Sequence, residues 1–202
     1  MSITVHDLCF SYKRNCNIIN CSKLYFSTGK IYALVGPNGS GKTTFLKILL
    51  GLLKPDRGEI TGVKKEIIAF VPDYNGLYDS LSVLENIKFR MSLYNQSYSS
   101  EKKYIQQLLI RYRLLNDEHK LVKELSLGMK KKVSLICALA VRPSILILDE
   151  PTGGLDIQAK RELSEMIGEY ISPSTMVICT SHDQEFLDAL PCCDVICFPI
   201  EN

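Results

Sequence analysis

Apolar runs separated by turn residues fill the first third of the chain. Residues 3–10 and 18–26 are rich in β-branched and apolar side chains, and Ile31–Val35 is an unbroken apolar run. Such stretches are typical of strands, and an unbroken run favours a strand buried on both faces. Shorter strands are predicted at residues 58–62 and 66–71.

Helical signals interrupt this strand pattern twice in the first two thirds. A helix is predicted at residues 44–53, where a Lys-Pro-Asp-Arg-Gly segment ends it. Further on, Ser82 with Glu85 three residues later forms a capping box, which predicts a helix from there to about residue 94. Residues 100–114 have helical periodicity as well. The middle of the chain is therefore predicted to be a mostly helical insert.

Strands and helices alternate again towards the end of the chain. The pattern predicts helices at residues 126–141 and Ile157–Tyr170, and strands at Ile145–Leu148, residues 175–180 and residues 194–198. Alternation of this kind is typical of a mostly parallel sheet with helices on both faces. The predicted fold class is α/β.

Composition and charge narrow the class of protein. The 202 residues are 46% hydrophobic and 23% charged, with a net charge of +2. These values are ordinary for a globular domain and do not indicate a nucleic-acid partner. The densest cationic run, Lys130, Lys131 and Lys132, is predicted to form a solvated helix face.

Cysteine spacing and apolar run length point to a reduced compartment. The eight cysteines include no CxxC pair, which argues against a zinc site, and several lie in apolar runs as expected of buried thiols. No signal peptide is recognisable, and every apolar run falls short of the ~20 residues that span a bilayer. We expect a cytoplasmic protein that reaches a membrane only by docking on another chain.

A glycine-rich loop follows the apolar run at Ile31–Val35. It matches G-x-x-x-x-G-K-[ST] and comprises Gly36, Pro37, Asn38, Gly39, Ser40, Gly41, Lys42 and Thr43. Glycines let successive backbone N–H groups face one anion, and the helix that follows adds positive charge. Lys42 can then reach β- and γ-phosphates, Thr43 can ligate Mg²⁺, and Thr44 is expected to extend the contacts. A chance match arises in about one chain in a hundred, but the strand before and the helix after favour nucleotide binding.

Two carboxylates, Asp149 and Glu150, follow the buried run Ile145–Leu148. Ligands of parallel sheets bind at the carboxyl ends of strands. Asp149 is predicted to hold Mg²⁺, and Glu150 is predicted to act as general base on the attacking water. The alternative is an ordinary solvated strand end, which the nearby phosphate loop disfavours.

With these motifs the chain resembles the ATP-binding cassette (ABC) ATPase family over essentially its whole length. Ser126 and Gly128 match a signature of the type L-S-G-G-Q, and Asp156 ends a segment similar to the family's dimer-contact loop. His182 matches the switch histidine, and Tyr12 matches the aromatic that stacks on adenine. Each has an alternative: Tyr12 as a strand aromatic, His182 as a surface or capping residue, Ser126 as a simple N-cap.

The resemblance implies a fold and a cofactor set. It implies a RecA-like P-loop NTPase core, an N-terminal antiparallel β subdomain and a mostly helical insert. Residues 1–202 would form a single domain, with residues 1–72 and 140–202 as the core and residues 73–139 as the helical subdomain. It also implies ATP and Mg²⁺ as ligands.

The resemblance further implies a head-to-tail dimer. Each nucleotide would lie between the phosphate loop of one copy and Ser126 and Gly128 of the other. His182 would contact γ-phosphate beside the catalytic Glu150 and Lys42, and Asp156 would link the two sites. ATP would close the pair and hydrolysis would reopen it.

Two departures from the family pattern stand out. The signature has Leu127 and Met129 where Gly and Gln are usual, while Ser126 and Gly128 remain. Asp73 occupies the place of a glutamine that touches Mg²⁺ and the attacking water. A carboxylate can still ligate Mg²⁺, but it adds negative charge, which predicts slower or differently coupled hydrolysis.

The favoured function is the energy-supplying subunit of an exporter-type ABC transporter, at the cytoplasmic face of the membrane. Residues 73–93 would dock on a separate membrane-spanning subunit through Tyr74, Leu77, Tyr78 and Leu81, although these side chains could equally pack the helical insert. One alternative is a soluble ABC ATPase of translation or DNA repair. Another is a nucleotide-dependent switch with weak hydrolysis.

Overall fold

A five-stranded parallel sheet and a three-stranded antiparallel sheet organise the chain. The computed structural model describes residues 1–12, 17–63 and 67–199. The strands are β1 (Ser2–Ser11), β2 (Asn17–Ser27), β3 (Ile31–Val35), β4 (Arg57–Thr61), β5 (Ile68–Val71), β6 (Ile145–Leu148), β7 (Met176–Thr180) and β8 (Cys193–Cys197). The helices are α1 (Lys42–Leu49), α2 (Val83–Leu93), α3 (Tyr98–Arg111), α4 (Leu127–Leu139), α5 (Ile157–Tyr170) and α6 (Gln184–Ala189).

The parallel sheet has the order β5-β6-β7-β3-β8. Every residue of β6 and β7 is buried, since helices or the second sheet cover both faces, and this explains the unbroken apolar runs. The antiparallel sheet has the order β2-β1-β4. These features confirm the α/β class and are consistent with a RecA-like core.

Two hydrophobic clusters lie on opposite faces of the parallel sheet. Along β6, Ile145 and Ile147 join the cluster that contains β1, β2 and α1 residues. Leu146 and Leu148 point the other way, into the cluster formed with α2, α3, α4 and α5. The alternation along one buried strand therefore joins both halves of the molecule.

Several predicted elements shift at their ends. Helix α1 begins at Lys42 and ends at Leu49, earlier at both ends than predicted, because left-handed glycines flank it: Gly41 has φ 101° and Gly51 has φ 72°. Strand β5 begins at Ile68, two residues after the start of the strand predicted at residues 66–71, and residue 66 lies outside the described part. Helix α6 was not predicted, since six residues are too few to display periodicity.

The lysine run contradicts its prediction as a solvated face. Lys131 is only 4% exposed. Lys130 forms an ion pair with Asp79 at 2.9 Å, and Lys132 pairs with Glu162. The prediction is wrong because α4 lies between α2 and α5, so that consecutive lysines meet different neighbours.

Three cysteine thiols lie in the core, and the lengths of the helices bear on whether one could cross a membrane. Cys21, Cys137 and Cys179 are buried, whereas Cys16 lies outside the described residues. Burial raises the pKa of Cys137 to about 12, as expected for an inert core thiol. In the described ranges, no helix combines the length and apolar character needed to cross a membrane.

Candidate nucleotide site

The glycine loop is fixed between β3 and the last strand. A Cβ on Gly36 would lie 2.1 Å from the carbonyl oxygen of Phe198, because the Phe198 amide donates to the Val35 carbonyl at 2.6 Å. Only glycine fits this approach. Gly41 then caps α1 in the left-handed region. The loop is therefore held against the Phe198 backbone at its first residue and enters α1 through a left-handed glycine.

Lys42 closes the loop from inside. It is 6% exposed, and its Nζ donates to the carbonyl oxygens of Gly36 at 2.7 Å and Pro37 at 3.1 Å. The ammonium thus lies in the concavity where phosphates bind in loops of this type. The hydroxyl of Ser40 is buried, and none of the described residues forms a hydrogen bond with it. Such an orphaned group is expected to find its partner in a ligand.

A chain of polar contacts links the loop to the carboxylate pair. The hydroxyl of Thr43 donates to Asp149 Oδ1 at 3.0 Å. Thr180, fully buried at the end of β7, donates to the same oxygen at 2.7 Å. It also accepts from the Glu150 amide at 2.8 Å. The two carboxylates are therefore positioned by adjacent parallel strands.

Glu150 and His182 are in contact at the exposed end of this series of polar contacts. His182 Nδ1 lies 3.1 Å from Glu150 Oε2, and the two side chains are 66% and 23% exposed. Glu150 has a φ of 44°, a conformation that costs a glutamate about 1–3 kcal/mol and that clusters at functional sites. The predicted base and the predicted switch histidine are thus direct neighbours.

Thr180 is the residue of this network that the sequence did not reveal. Its only signal was its position two residues before His182, at the end of a buried strand.

Asp183, next to His182, forms an ion pair with Lys160 at 2.6 Å and accepts a hydrogen bond from Thr152 at 3.4 Å. The segment after β7 is thereby attached to the segment after β6.

Tyr12 lies beside the helix that follows the loop. Its hydroxyl is 3.4 Å from the Thr44 hydroxyl, and its ring meets Phe10 edge-on at 4.9 Å. The side chain is 56% exposed. This placement is compatible with stacking on a base, which stays a prediction.

Asp73, unlike the other two predicted metal ligands, Thr43 and Asp149, does not take part in the polar contacts described above. Its Oδ1 accepts a hydrogen bond from the neighbouring Tyr74 amide at 2.8 Å, and its carbonyl oxygen accepts from Lys131 Nζ at 2.7 Å. Over the described ranges, no three His, Cys, Asp or Glu side chains form a ready metal cluster. Mg²⁺ in phosphate sites usually takes one or two protein oxygens, with waters and phosphates supplying the rest. Thr43 and Asp149 fit that pattern.

The signature lies in a different cleft. Ser126 caps α4 by accepting from the Met129 amide at 3.3 Å, and Asp156 caps α5 by accepting from the Ala159 amide at 2.8 Å. Ser126, Gly128, Gly154 and Asp156 line one open cleft of about 380 Å³, to which no residue of the glycine loop contributes. The structure thus brings the predicted signature and dimer-contact residues together, apart from the phosphate loop.

This combination of fold and site defines a class. A parallel sheet with a G-x-x-x-x-G-K-T loop between β3 and α1, and an Asp-Glu pair after β6, is the arrangement of a P-loop nucleoside triphosphate-binding protein.

Comparison with known proteins identifies the family within that class. The family model described as ABC transporter matches residues 19–153. The chain is 35% identical over 187 residues to a lantibiotic transport ATP-binding protein of Streptococcus pyogenes, covering 89% of this chain and 80% of that protein. The chain therefore belongs to the ABC transporter family of ATP-binding proteins.

Other relatives broaden the comparison. A Nod factor export ATP-binding protein of Burkholderia orbicola is 33% identical over 190 residues, which cover 89% of this chain but 62% of that protein. A zinc import ATP-binding protein of Buchnera aphidicola is 34% identical over 170 residues, 84% of this chain and 69% of that protein. A solved structure of the ATP-binding subunit of an ABC transporter superposes with a TM-score of 0.85 at 27% identity, over 98% of this chain and 86% of that one.

Proposed function

We propose that this chain hydrolyses MgATP and supplies the energy for transport through a separate membrane-spanning subunit at the cytoplasmic face of the membrane. The carrying observation is the continuous polar chain from Thr43 through Asp149 and Thr180 to Glu150 and His182. It supports the proposal because a base candidate and a histidine are linked by these contacts to the glycine loop. That is the composition a phosphoryl-transfer site requires.

Each residue has a distinct task in this proposal. Lys42 and the loop amides bind the β- and γ-phosphates, and Tyr12 stacks on the base. Glu150 orients the attacking water and accepts its proton, while His182 contacts the γ-phosphate. Thr43 and Asp149 would hold Mg²⁺, with Asp73 as a further candidate ligand, and the ion would supply neutralisation of the phosphate charge.

The proposed working unit is a head-to-tail pair of these chains or of one chain with a related one. The support is that, within one chain, the glycine loop does not line the cleft that is formed by Ser126, Gly128 and Asp156. An antiparallel approach of two copies would bring each signature to the other copy's loop. The division into a core of residues 1–72 and 140–202 and a helical subdomain of residues 73–139 belongs to the same proposal.

The proposed docking surface for the membrane subunit is a groove beside β5 and α2. It has a volume of about 200 Å³ and is lined by Phe70, Pro72, Tyr74, Leu77, Tyr78, Phe89 and Leu93. Tyr74 is 77% exposed and Leu93 61%. Asn86 fixes the Tyr78 backbone: its Oδ1 accepts from the Tyr78 amide at 2.8 Å, and its Nδ2 donates to the Tyr78 carbonyl at 3.1 Å. Exposed apolar side chains on a fixed backbone are typical of a protein-binding surface.

Export is the proposed direction. The relatives include export, import and lantibiotic transport proteins, so family membership alone leaves both directions open. The support for export is the resemblance of residues 75–83 to exporter-like members of the family.

Glu150→Gln tests the hydrolytic proposal. Loss of the base should lower the rate of phosphate release from MgATP by about 10²–10⁴, while nucleotide binding persists. The trapped variant should then dimerise with MgATP in sedimentation velocity. Adding Ser126→Arg should keep it monomeric, because the side chain would block the signature cleft.

The matched control is Ser100→Arg, an exposed position in the first turn of α3, which should leave the dimer intact. Hydrolysis that survives Glu150→Gln would overturn the catalytic assignment. A trapped dimer that tolerates Ser126→Arg would overturn the head-to-tail geometry.

A further inference from the structure

One arginine lies among the aromatic and aliphatic side chains of the groove beside β5 and α2. Arg90, near the end of α2, is half-buried and lines this groove. Two of the walls are the rings of Tyr78 and Phe89, which meet edge-on at 4.9 Å. Among the described residues that line the groove, Arg90 alone carries a charge.

The backbone on either side of the groove fixes the position of the Arg90 guanidinium. Its Nη1 donates to the carbonyl oxygen of Phe70 in β5 at 3.3 Å. A Cβ on Gly76 would lie 3.5 Å from Nη2, so the head group also lies against the loop after β5. A guanidinium has five N–H donors, and this one long hydrogen bond uses only one of them. Most of its donors therefore remain for another acceptor.

Arg90 has no carboxylate partner within residues 1–12, 17–63 and 67–199. Two more exposed arginines of the chain do have one. Arg111 forms an ion pair with Glu169, and Arg142 pairs with Glu101 at 2.9 Å. The cation in the groove is thus less exposed than these two and lacks the partner that each of them has.

The two acids of the neighbouring loop are engaged elsewhere. Asp79 forms its ion pair with Lys130 in α4 at 2.9 Å. The side chain of Asp73 accepts from the adjacent Tyr74 amide at 2.8 Å. Neither carboxylate forms an ion pair with Arg90, so the positive charge in the groove is not neutralised from this loop.

A protein that covers the groove would remove water from Arg90. Burying a charge is costly unless it is paired, and an interface that leaves one charge buried without its partner loses much of its affinity. A purely apolar partner would therefore bind poorly. The groove, at about 200 Å³, is smaller than the ~300–1,000 Å³ of typical ligand pockets. It has room for one or two side chains of a docked segment.

We infer that the segment docked in this groove places a carboxylate side chain on Arg90, between apolar side chains that contact Tyr74 and Leu93. The inference rests on the proposed docking of a membrane-spanning subunit and adds the chemistry of the docked segment. A carboxylate suits the site because it accepts two parallel hydrogen bonds from a guanidinium. The exposed Tyr74 and Leu93 supply apolar contact on either side.

The test uses the full chain with a photo-crosslinking residue at position 74, in membranes of the cells that produce it. Arg90→Met should lower the yield of crosslinks to a multi-spanning membrane protein at least about 10-fold, because the partner's carboxylate would be buried unpaired. Lys88→Met is the matched control. Lys88 is an exposed cation of the same helix, with its ammonium 5.0 Å from the Tyr98 ring centroid, and its loss should leave the yield unchanged.

A charge exchange guards against a folding defect in the variant. Arg90→Glu should abolish the crosslink, and changing the acid found in the crosslinked peptide to arginine should restore it. A yield that Arg90→Met leaves unchanged or raises, or an exchange that restores nothing, would overturn the inference and leave the docking proposal standing. If the wild-type arginine gives no crosslink to a membrane protein, the proposed docking fails and the inference fails with it.

Discussion

At the scale of single residues, Thr180 determines how the carboxylate pair is held. One hydroxyl donates to Asp149 at 2.7 Å and accepts from the Glu150 amide at 2.8 Å. The same side chain therefore orients one acid and satisfies the backbone of the other, whose φ of 44° would otherwise be unsupported. Buried groups that lose such a partner bear the full cost of desolvation.

Thr180→Val should lower the free energy of unfolding by about 1–3 kcal/mol, because the shape is kept while the Glu150 amide loses its acceptor. Urea denaturation measures the change. Thr61→Val is the control, since Thr61 is exposed on β4 and its hydrogen bond to the Thr4 carbonyl is long, at 3.5 Å. This substitution should change the free energy of unfolding by less than about 0.5 kcal/mol. Equal losses in the two variants would contradict this role for Thr180.

The motif residues could be predicted because their chemistry is local. Lys42 and Thr43 end a loop whose spacing, between an apolar run and a helical stretch, predicts a phosphate site, and Asp149 follows an unbroken apolar run. Thr180 and Lys131 could not be predicted in the same way. A threonine at a strand end and a lysine among lysines are common, and only the tertiary neighbours give them a role.

At the scale of elements, the start of α2 sets the shape of the proposed docking loop. Ser82 accepts from the Glu85 amide at 3.2 Å, and the Glu85 carboxylate accepts from the Ser82 amide at 2.7 Å. The hydrogen bond from the Ser82 backbone lowers the pKa of Glu85, so the box is intact at neutral pH and weakens as the pH falls through that lowered value. The capping box predicted from sequence is confirmed.

Ser82→Ala should lower the free energy of unfolding by about 1 kcal/mol, as loss of an N-cap usually does. Ser92 lies in the same helix and its hydroxyl donates to the Phe89 carbonyl at 2.7 Å. Ser92→Ala should be close to neutral, since the residue is exposed. Chemical denaturation of both variants makes the comparison, and a loss in Ser92→Ala as large as in Ser82→Ala would argue against a specific cap.

The ends of an element could be predicted from the sequence where both faces of the strand are buried. Strands β3 and β6 match their predictions to the residue, because apolar runs covered on both faces begin and end where the sheet does. Helix α1 was misplaced because its first residue, Lys42, belongs to the phosphate loop. The lysine run in α4 was misjudged because periodicity alone does not show how many sides of a helix are covered.

At the scale of the whole molecule, the three candidate functional regions have different linings. These are the glycine loop with its acids, the signature cleft and the groove beside α2. Helix α4 joins two of them, since it begins at the signature and contacts the loop after β5, next to the groove, through Lys131 and Ser134.

A photo-crosslinking residue at position 74 tests the docking groove. Tyr74 is 77% exposed beside the groove, and Tyr25 on β2, 57% exposed, is the matched control. In cells, position 74 should crosslink to a multi-spanning membrane protein and position 25 should not. Crosslinks from position 74 to ribosomal proteins would favour the translation-type alternative, and identical products from both positions would contradict a specific docking surface.

The buried hydroxyl of Ser40, which has no hydrogen-bond partner in the described part of the chain, affects how this protein responds to selection. A buried polar group without a partner destabilises the nucleotide-free chain, so a screen for thermal stability without ATP would favour replacing Ser40 by alanine. The same screen with saturating ATP would retain the serine, because the ligand stabilises only the state it binds. Engineering this domain for robustness therefore requires nucleotide to be present throughout.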